Sequence, residues 1–165
     1  MERRLYIIRH AKSSWEFEGL ADIHRPLAER GIRAAPTMAQ RLKDQGLIPQ
    51  LLLSSPANRA LNTARLMSKV WDLPPEALQI HDGLYDAYPG DIDDILSVVP
   101  DEVKDLAIFG HNPTFTSYAN RYLDRPLDNL PTAGVVVVSL ESDSWTGLEY
   151  DMVTGTLVDY PKRKV

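Results

Sequence analysis

Three short stretches of this sequence end in residues out of keeping with what precedes them. The apolar run Leu5-Tyr6-Ile7-Ile8 ends in Arg9-His10. Leu51-Leu52-Leu53 ends in Ser54-Ser55, with Arg59 shortly after. Leu106-Ala107-Ile108-Phe109 ends in Gly110-His111-Asn112-Pro113. Singly, a histidine after a strand is an ordinary structural residue, and Arg59 an ordinary helix-surface residue. Together, two histidines and two arginines at equivalent strand ends suit a phosphoryl group. Arginine forks match phosphate oxygens bidentately and stay charged at any working pH. They stabilise the charge that develops on equatorial oxygens during transfer. One neutral imidazole can attack phosphorus and form a covalent intermediate, and neighbouring arginines favour that neutral form by lowering its pKa. The other imidazole can donate to a non-bridging oxygen. Gly110 would let backbone pass close to the ligand, and the Asn112-Pro113 turn would open a helix whose N-terminal amides face the anion.

The elements that must position these residues can be read from periodicity. Leu5 to Ile8 is apolar without alternation, as in a strand buried on both faces. Pro26 can start a helix whose apolar positions recur through Ile32, Ala35, Met38, Ala39 and Leu42, with a kink or fresh start expected at Pro36 and an end at Gly46. A strand over residues 50–53, a helix through Ala60, Ala64, Met67 and Val70, and a short strand over 78–80 follow. Helices over 91–99 and 115–123 flank a strand over 106–109. Strands over 135–140 and 148–153 close the chain as an antiparallel edge hairpin. Alternating strands and helices imply an α/β fold with a mostly parallel central sheet, in which ligands bind outside the carboxyl ends of the strands.

Bulk properties narrow the function classes. The 165 residues, 44% hydrophobic and 25% charged, read as one globular domain over 1–165. The net charge of −5 argues against a nucleic-acid binder and requires a local cation cluster for any anionic ligand. No apolar stretch approaches the ~20 residues of a membrane helix, and the short run before Arg9 is no secretory signal, so the cytoplasm is the default compartment. The absence of cysteine excludes disulfides, thiolate metal sites and a cysteine nucleophile.

"IIRHAKS", "LLLSSPANRALNTA", "IFGHNPT", "HRPLAERG" and "LPTAGVVVVSL" with Trp145 resemble the histidine phosphatase superfamily, specifically its short SixA-type phosphohistidine phosphatase branch. The resemblance runs from about Leu5 to Pro161. It implies a phosphoglycerate mutase-like three-layer sandwich, with a mostly parallel sheet and one antiparallel edge strand. By position it implies a catalytic core of His10 as nucleophile with Arg9, Arg59 and His111. It implies a metal-independent, cofactor-free phosphatase working through phosphohistidine at His10. The substrate would be a phosphorylated protein or a small phosphorylated molecule. A non-catalytic phosphate-binding module is the alternative from another class.

Other residues have weaker claims. Larger relatives place an acid after the third strand, and Asp86 in "GLYDAYPGD" is the nearest candidate, with Asp91 and Asp93 behind it; a capping or surface carboxylate is the plainer reading. Arg25 is either a further substrate contact or the ion-pair partner of Asp22 or Glu29. Lys12, Ser13 and Ser14 either line the pocket or only shape the loop. Thr63, one turn beyond Arg59, is placed to support it. His24 and His81 lack zinc-motif spacing. Phe115, Tyr118 and Tyr122 read as core, and Lys162-Arg163-Lys164 as a solvated tail.

Overall fold

The computed structural model describes residues 1–163, so Lys164 of the basic tail lies outside the described residues. The strands are β1 (Glu2–Arg9), β2 (Leu51–Ser54), β3 (Leu78–Ile80), β4 (Asp105–Gly110), β5 (Val135–Glu141) and β6 (Val153–Asp159). The helices are α1 (Glu29–Asp44), α2 (Asn58–Val70), α3 (Pro89–Ser97) and α4 (Thr114–Asn120). They form one six-stranded sheet of order β3-β2-β4-β1-β5-β6. The first four strands run parallel. β5 is antiparallel to β1, and β6 is antiparallel to β5 along the sheet edge.

Successive residues of each central strand feed opposite cores. Leu5, Ile7, Ile108, Val136 and Val138 pack with Ile92 and Ile95 of α3 and Phe115 and Tyr118 of α4. Tyr6, Ile8, Phe109, Val135 and Val137 pack with Met38 and Leu42 of α1 and Ala64 and Met67 of α2. The result is three layers, with a period-2 pattern in the strands set against a 3.6-residue pattern in the helices. Phe115, Tyr118 and Tyr122 are buried in the first of these cores, as their spacing predicts.

Three local expectations are corrected. Pro26 does not open the first helix: its carbonyl accepts from Ser14 N, and α1 begins at Glu29. Pro36 neither ends nor restarts α1, which is continuous. Met38 and Leu42 are fully buried on that helix, each contributing roughly 1.5–3 kcal/mol, against a cost of ~3 kcal/mol for an internal proline. The last strand begins only at Val153. Leu148, buried at 5% exposure, is a loop residue whose apolarity serves the core rather than a ladder.

Gly31 fixes how α1 meets the segment after β1. A Cβ there would lie 2.3 Å from the Lys12 carbonyl oxygen and 2.9 Å from the Lys12 nitrogen, both backbone atoms. Ala28 N also donates to Lys12 O at 2.9 Å. Gly31→Ala therefore loses more to overpacking, typically ~1–3 kcal/mol, than it gains in helix propensity. A lowered urea midpoint with unchanged slope is expected, and a stabilised variant would refute the contact.

Candidate active site

Parallel pairing sets Arg9 of β1 opposite Gly110 of β4, so the residues after both strands leave the sheet side by side. His10 N donates to Gly110 O at 3.0 Å, and Ser55 N donates to Phe109 O at 3.0 Å from the other neighbour of β4. Arg59 arrives from the first turn of α2. Arg9, His10, Ser13, Arg25, Arg59 and His111 thereby line one pocket of about 190 Å³. The two imidazole centroids stand 5.3 Å apart.

The hydrogen bonds fix the tautomer of His10 and anchor the ring of His111. His10 Nδ1 lies 2.7 Å from the Ala11 carbonyl oxygen. A carbonyl only accepts, so Nδ1 carries the proton and Nε2 the free lone pair. His111 Nε2 is 2.8 Å from Ser55 Oγ. That oxygen also accepts from Ala57 N at 3.1 Å; a hydroxyl has one proton and two lone pairs, and the His111 proton sits on Nδ1 in the tautomer in which Ser55 donates to Nε2. His111 Nδ1 and Arg9 Nε are buried with no hydrogen-bond partner among the described residues. An unpaired guanidinium N–H beside an unpaired imidazole nitrogen in one cationic pocket suits an anion with several acceptor oxygens, to which His111 donates when its proton is on Nδ1.

Burial is the first cause of the low proton affinity of both histidines. It brings His10 down to about 4, with Arg59 and then Arg9 and Arg25 adding to the effect. It brings His111 down to about 3, with His10 and Arg59 as the next causes. The sequence expectation credited the arginines; they contribute, but desolvation leads. Burial, and then the Arg59 charge, likewise lower Arg9 from the usual arginine value.

Arg9 Nη1 donates to Leu130 O at 3.0 Å. Arg59 donates from Nη1 to Asp22 O at 2.8 Å and from Nη2 to Asp22 Oδ2 at 2.9 Å. Arg25 makes the expected pair with Asp22 at 3.3 Å, while Glu29 instead faces Arg33 at 4.0 Å. Arg25 also lines the pocket, with Nη2 donating to Ser13 Oγ at 2.6 Å and its guanidinium 3.2 Å from the Trp15 ring centroid. Thr63 donates to Arg59 O at 2.7 Å and accepts from Ala11 N at 2.9 Å, which ties the chain after His10 to α2.

Other expected residues fall elsewhere. Asp86 is exposed and does not line the pocket. Asp91 accepts from Tyr88 N at the start of α3, and Asp93 accepts from Arg121 and Tyr118. His24 is exposed, and His81 Nδ1 accepts from Gly83 N. Among the described residues no group of three or more histidines and acids is placed to hold a metal. Gly110 serves packing rather than ligand approach, since a Cβ there would fall 2.5 Å from the Phe115 ring. The second and third amides of α4 are already paired within the chain: Phe115 N donates to His111 O, and Thr116 N to Asn112 Oδ1.

Sequence reasoning missed the central place of Asp22 and all of Tyr85. Tyr85 OH donates to Asp22 Oδ2 at 2.7 Å, and its ring stands edge-on to His111 at 5.6 Å. That hydrogen bond, followed by Arg59 and Arg25, brings Asp22 down to about 2. The only signal was the position of Asp22 just ahead of "HRPLAERG"; nothing marked Tyr85.

A family model for the histidine phosphatase superfamily (branch 1) matches residues 5–97. The chain belongs to the histidine phosphatase superfamily. It is 32% identical over 152 residues to an uncharacterized protein of Mycobacterium tuberculosis, covering 86% of this chain and 92% of that one. It is 45% identical over 67 residues to an uncharacterized chloroplast protein of Arabidopsis thaliana, a match spanning 41% of this chain and only 31% of that protein. An Agrobacterium tumefaciens structure assigned as phosphohistidine phosphatase SixA is 25% identical with a TM-score of 0.76, over 94% of this chain and 97% of that one. The fold is thus the phosphoglycerate mutase-like fold of this superfamily, and no helix among the described residues is long and apolar enough to cross a membrane.

Two outcomes follow for this histidine phosphatase-superfamily site. NMR titration should place His10 near pH 4 and His111 near pH 3. Because the unfolded chain then binds more protons below the ordinary histidine value of about 6.5, stability should fall as pH drops from there toward 4; midpoints at 6.5 would contradict the burial. Asp22→Asn should lower kcat/KM by on the order of 10- to 100-fold through a misplaced Arg59, with the melting temperature little changed. Unaltered turnover would show that the carboxylate does not hold Arg59 in its working position.

Proposed function

We propose that this chain is a metal-independent phosphatase that removes the phosphoryl group from protein phosphohistidine through a covalent intermediate on His10. The observation that carries the reading is the buried, unpartnered pair Arg9 Nε and His111 Nδ1 beside an imidazole whose Nε2 lone pair is free. In the first displacement His10 Nε2 bonds to phosphorus as the bond to the leaving group breaks. In the second, water bonds to phosphorus, the N–P bond to His10 breaks, and inorganic phosphate departs. Arg9, Arg59, Arg25 and His111 hold the phosphoryl oxygens, and Ser13 positions Arg25. The developing negative charge meets donors already in place, which is where such sites gain most of their rate.

The preference for phosphohistidine over an ester rests on the leaving group. No pocket-lining residue is a carboxylic acid, and Asp22, held at about 2, is ionised at neutral pH. Asp86 stands exposed, outside the lining. An alcohol leaving group needs a positioned acid, worth on the order of 10²–10⁴ in rate, whereas an imidazole is readily protonated from solvent. The likeness to a structure assigned as SixA supports the same substrate class. Small phosphomonoesters are the second reading, favoured by the modest pocket volume of about 190 Å³.

Rapid quench with a labelled phosphohistidine peptide should trap an acid-labile phosphoenzyme that is absent from His10→Ala. That variant should fold normally and lose all turnover, while wild-type turnover should persist in excess chelator. Turnover in His10→Ala, or its loss to the chelator, would overturn the mechanism.

A further inference from the structure

A second groove, of about 290 Å³, adjoins the catalytic pocket and shares Lys12 and Thr132 with it. Its remaining walls come from Arg30 and Ala34 on α1, from Pro131, and from Tyr160, Pro161 and Lys162 beyond β6. Lys12, Arg30 and Lys162 give it three cations and no acid, on a chain whose net charge is −5. None of the three makes an ion pair among the described residues. Every other arginine in or beside the catalytic pocket is engaged by a carbonyl, a hydroxyl or Asp22, so this unpaired set stands apart from the catalytic cluster.

The groove is built rather than incidental. Arg41 clamps the C-terminal wall, donating from Nη1 to Tyr160 O at 3.1 Å and from Nη2 to Pro161 O at 3.3 Å. Lys12 is pinned by the contact of its backbone with Gly31. Thr132 precedes Ala133, whose N–H donates to His10 O at 3.0 Å, so this wall is coupled to the nucleophile. A ligand part that lies in the groove is therefore held in a fixed relation to the reacting phosphorus.

We propose that this groove is a substrate subsite that receives an acidic side chain of the polypeptide flanking the phosphorylated residue, its carboxylate facing Lys12, Arg30 and Lys162 and its stem lying against Tyr160 and Pro161. The proposal rests on the protein-phosphohistidine reading above. Charge selects the sign of the occupant. Carboxylates are the anions that a polypeptide flanking the phosphorylated residue itself carries; Arg30 offers a planar fork that receives a carboxylate bidentately, and Lys12 and Lys162 add point charges beside it. The apolar walls suit the methylene stem of a glutamate or a neighbouring aliphatic residue.

The test uses phosphohistidine peptides with either acidic or lysine-containing flanks, with p-nitrophenyl phosphate as a substrate that has no flank. Arg30 and Lys162 are exposed and do not line the catalytic pocket, so Arg30→Glu and Lys162→Glu address the groove alone. Wild type should favour the acidic flank by on the order of 10-fold in kcat/KM, carried by KM, with the preference shrinking as salt is raised. Each charge reversal should reduce the preference, and the double variant should abolish or invert it, while p-nitrophenyl phosphate turnover stays unchanged. Hydrolysis of both peptides at equal rates, or a preference that survives the double variant, overturns the subsite and leaves the phosphohistidine reading standing. Cleavage of p-nitrophenyl phosphate but of no phosphohistidine peptide overturns that reading and this one together.

Discussion

The pairing of β1 with β4 is the constraint on which the site depends. Parallel neighbours in one register leave the sheet at the same edge, so Arg9-His10 and His111 emerge together although 100 residues separate the two histidines. A one-residue slip would exchange every side chain of β1 between the two cores, and both faces of that strand are fully buried from Leu5 to Ile8. The hydrophobic packing that specifies the register thus also specifies the 5.3 Å separation of the imidazoles.

The pocket concentrates positive charge in a place that water reaches poorly. Like charges there repel, and each buried guanidinium needs hydrogen-bond partners to offset its lost hydration and hold it in place. Carbonyl oxygens, Ser13 and the single carboxylate of Asp22 supply them. Asp22 is shared by Arg59, Arg25 and Tyr85, which makes it, among the described residues, the negative group around which the cationic cluster is arranged. The same desolvation keeps both imidazoles neutral at physiological pH, the form in which one can present a lone pair and the other a single N–H. In the proposed reaction, burial therefore does what a separate general base would otherwise have to do for a histidine nucleophile.

The boundary between what could be read in the chain and what could not follows the range of the interactions. Arg9, His10, Arg59 and His111 were legible because each sits where a strongly apolar run stops, and strand ends of an α/β sheet share an edge. Residues whose importance comes from a distant partner were not. Tyr85 reaches Asp22 across 63 residues of chain and Ser55 reaches His111 across 56, and no local pattern announces either. Leu148 shows the same limit in the core: its apolarity is visible, but whether it serves a strand or a buried loop is decided by what it packs against.

By itself, then, the sequence determined the alternation of strands and helices, the two-faced burial of the central strands and the four strand-end residues, Arg9, His10, Arg59 and His111, that line one pocket, because periodicity and strand ends are local properties. Only the tertiary structure decided that Gly110 makes room for Phe115 rather than for a ligand, that the Phe115 and Thr116 amides of α4 bond within the chain, that Asp86 stands outside the pocket, and that Asp22 organises the arginines. Each of those outcomes depends on which groups from far along the chain arrive within hydrogen-bond or van der Waals distance, and that is settled by packing.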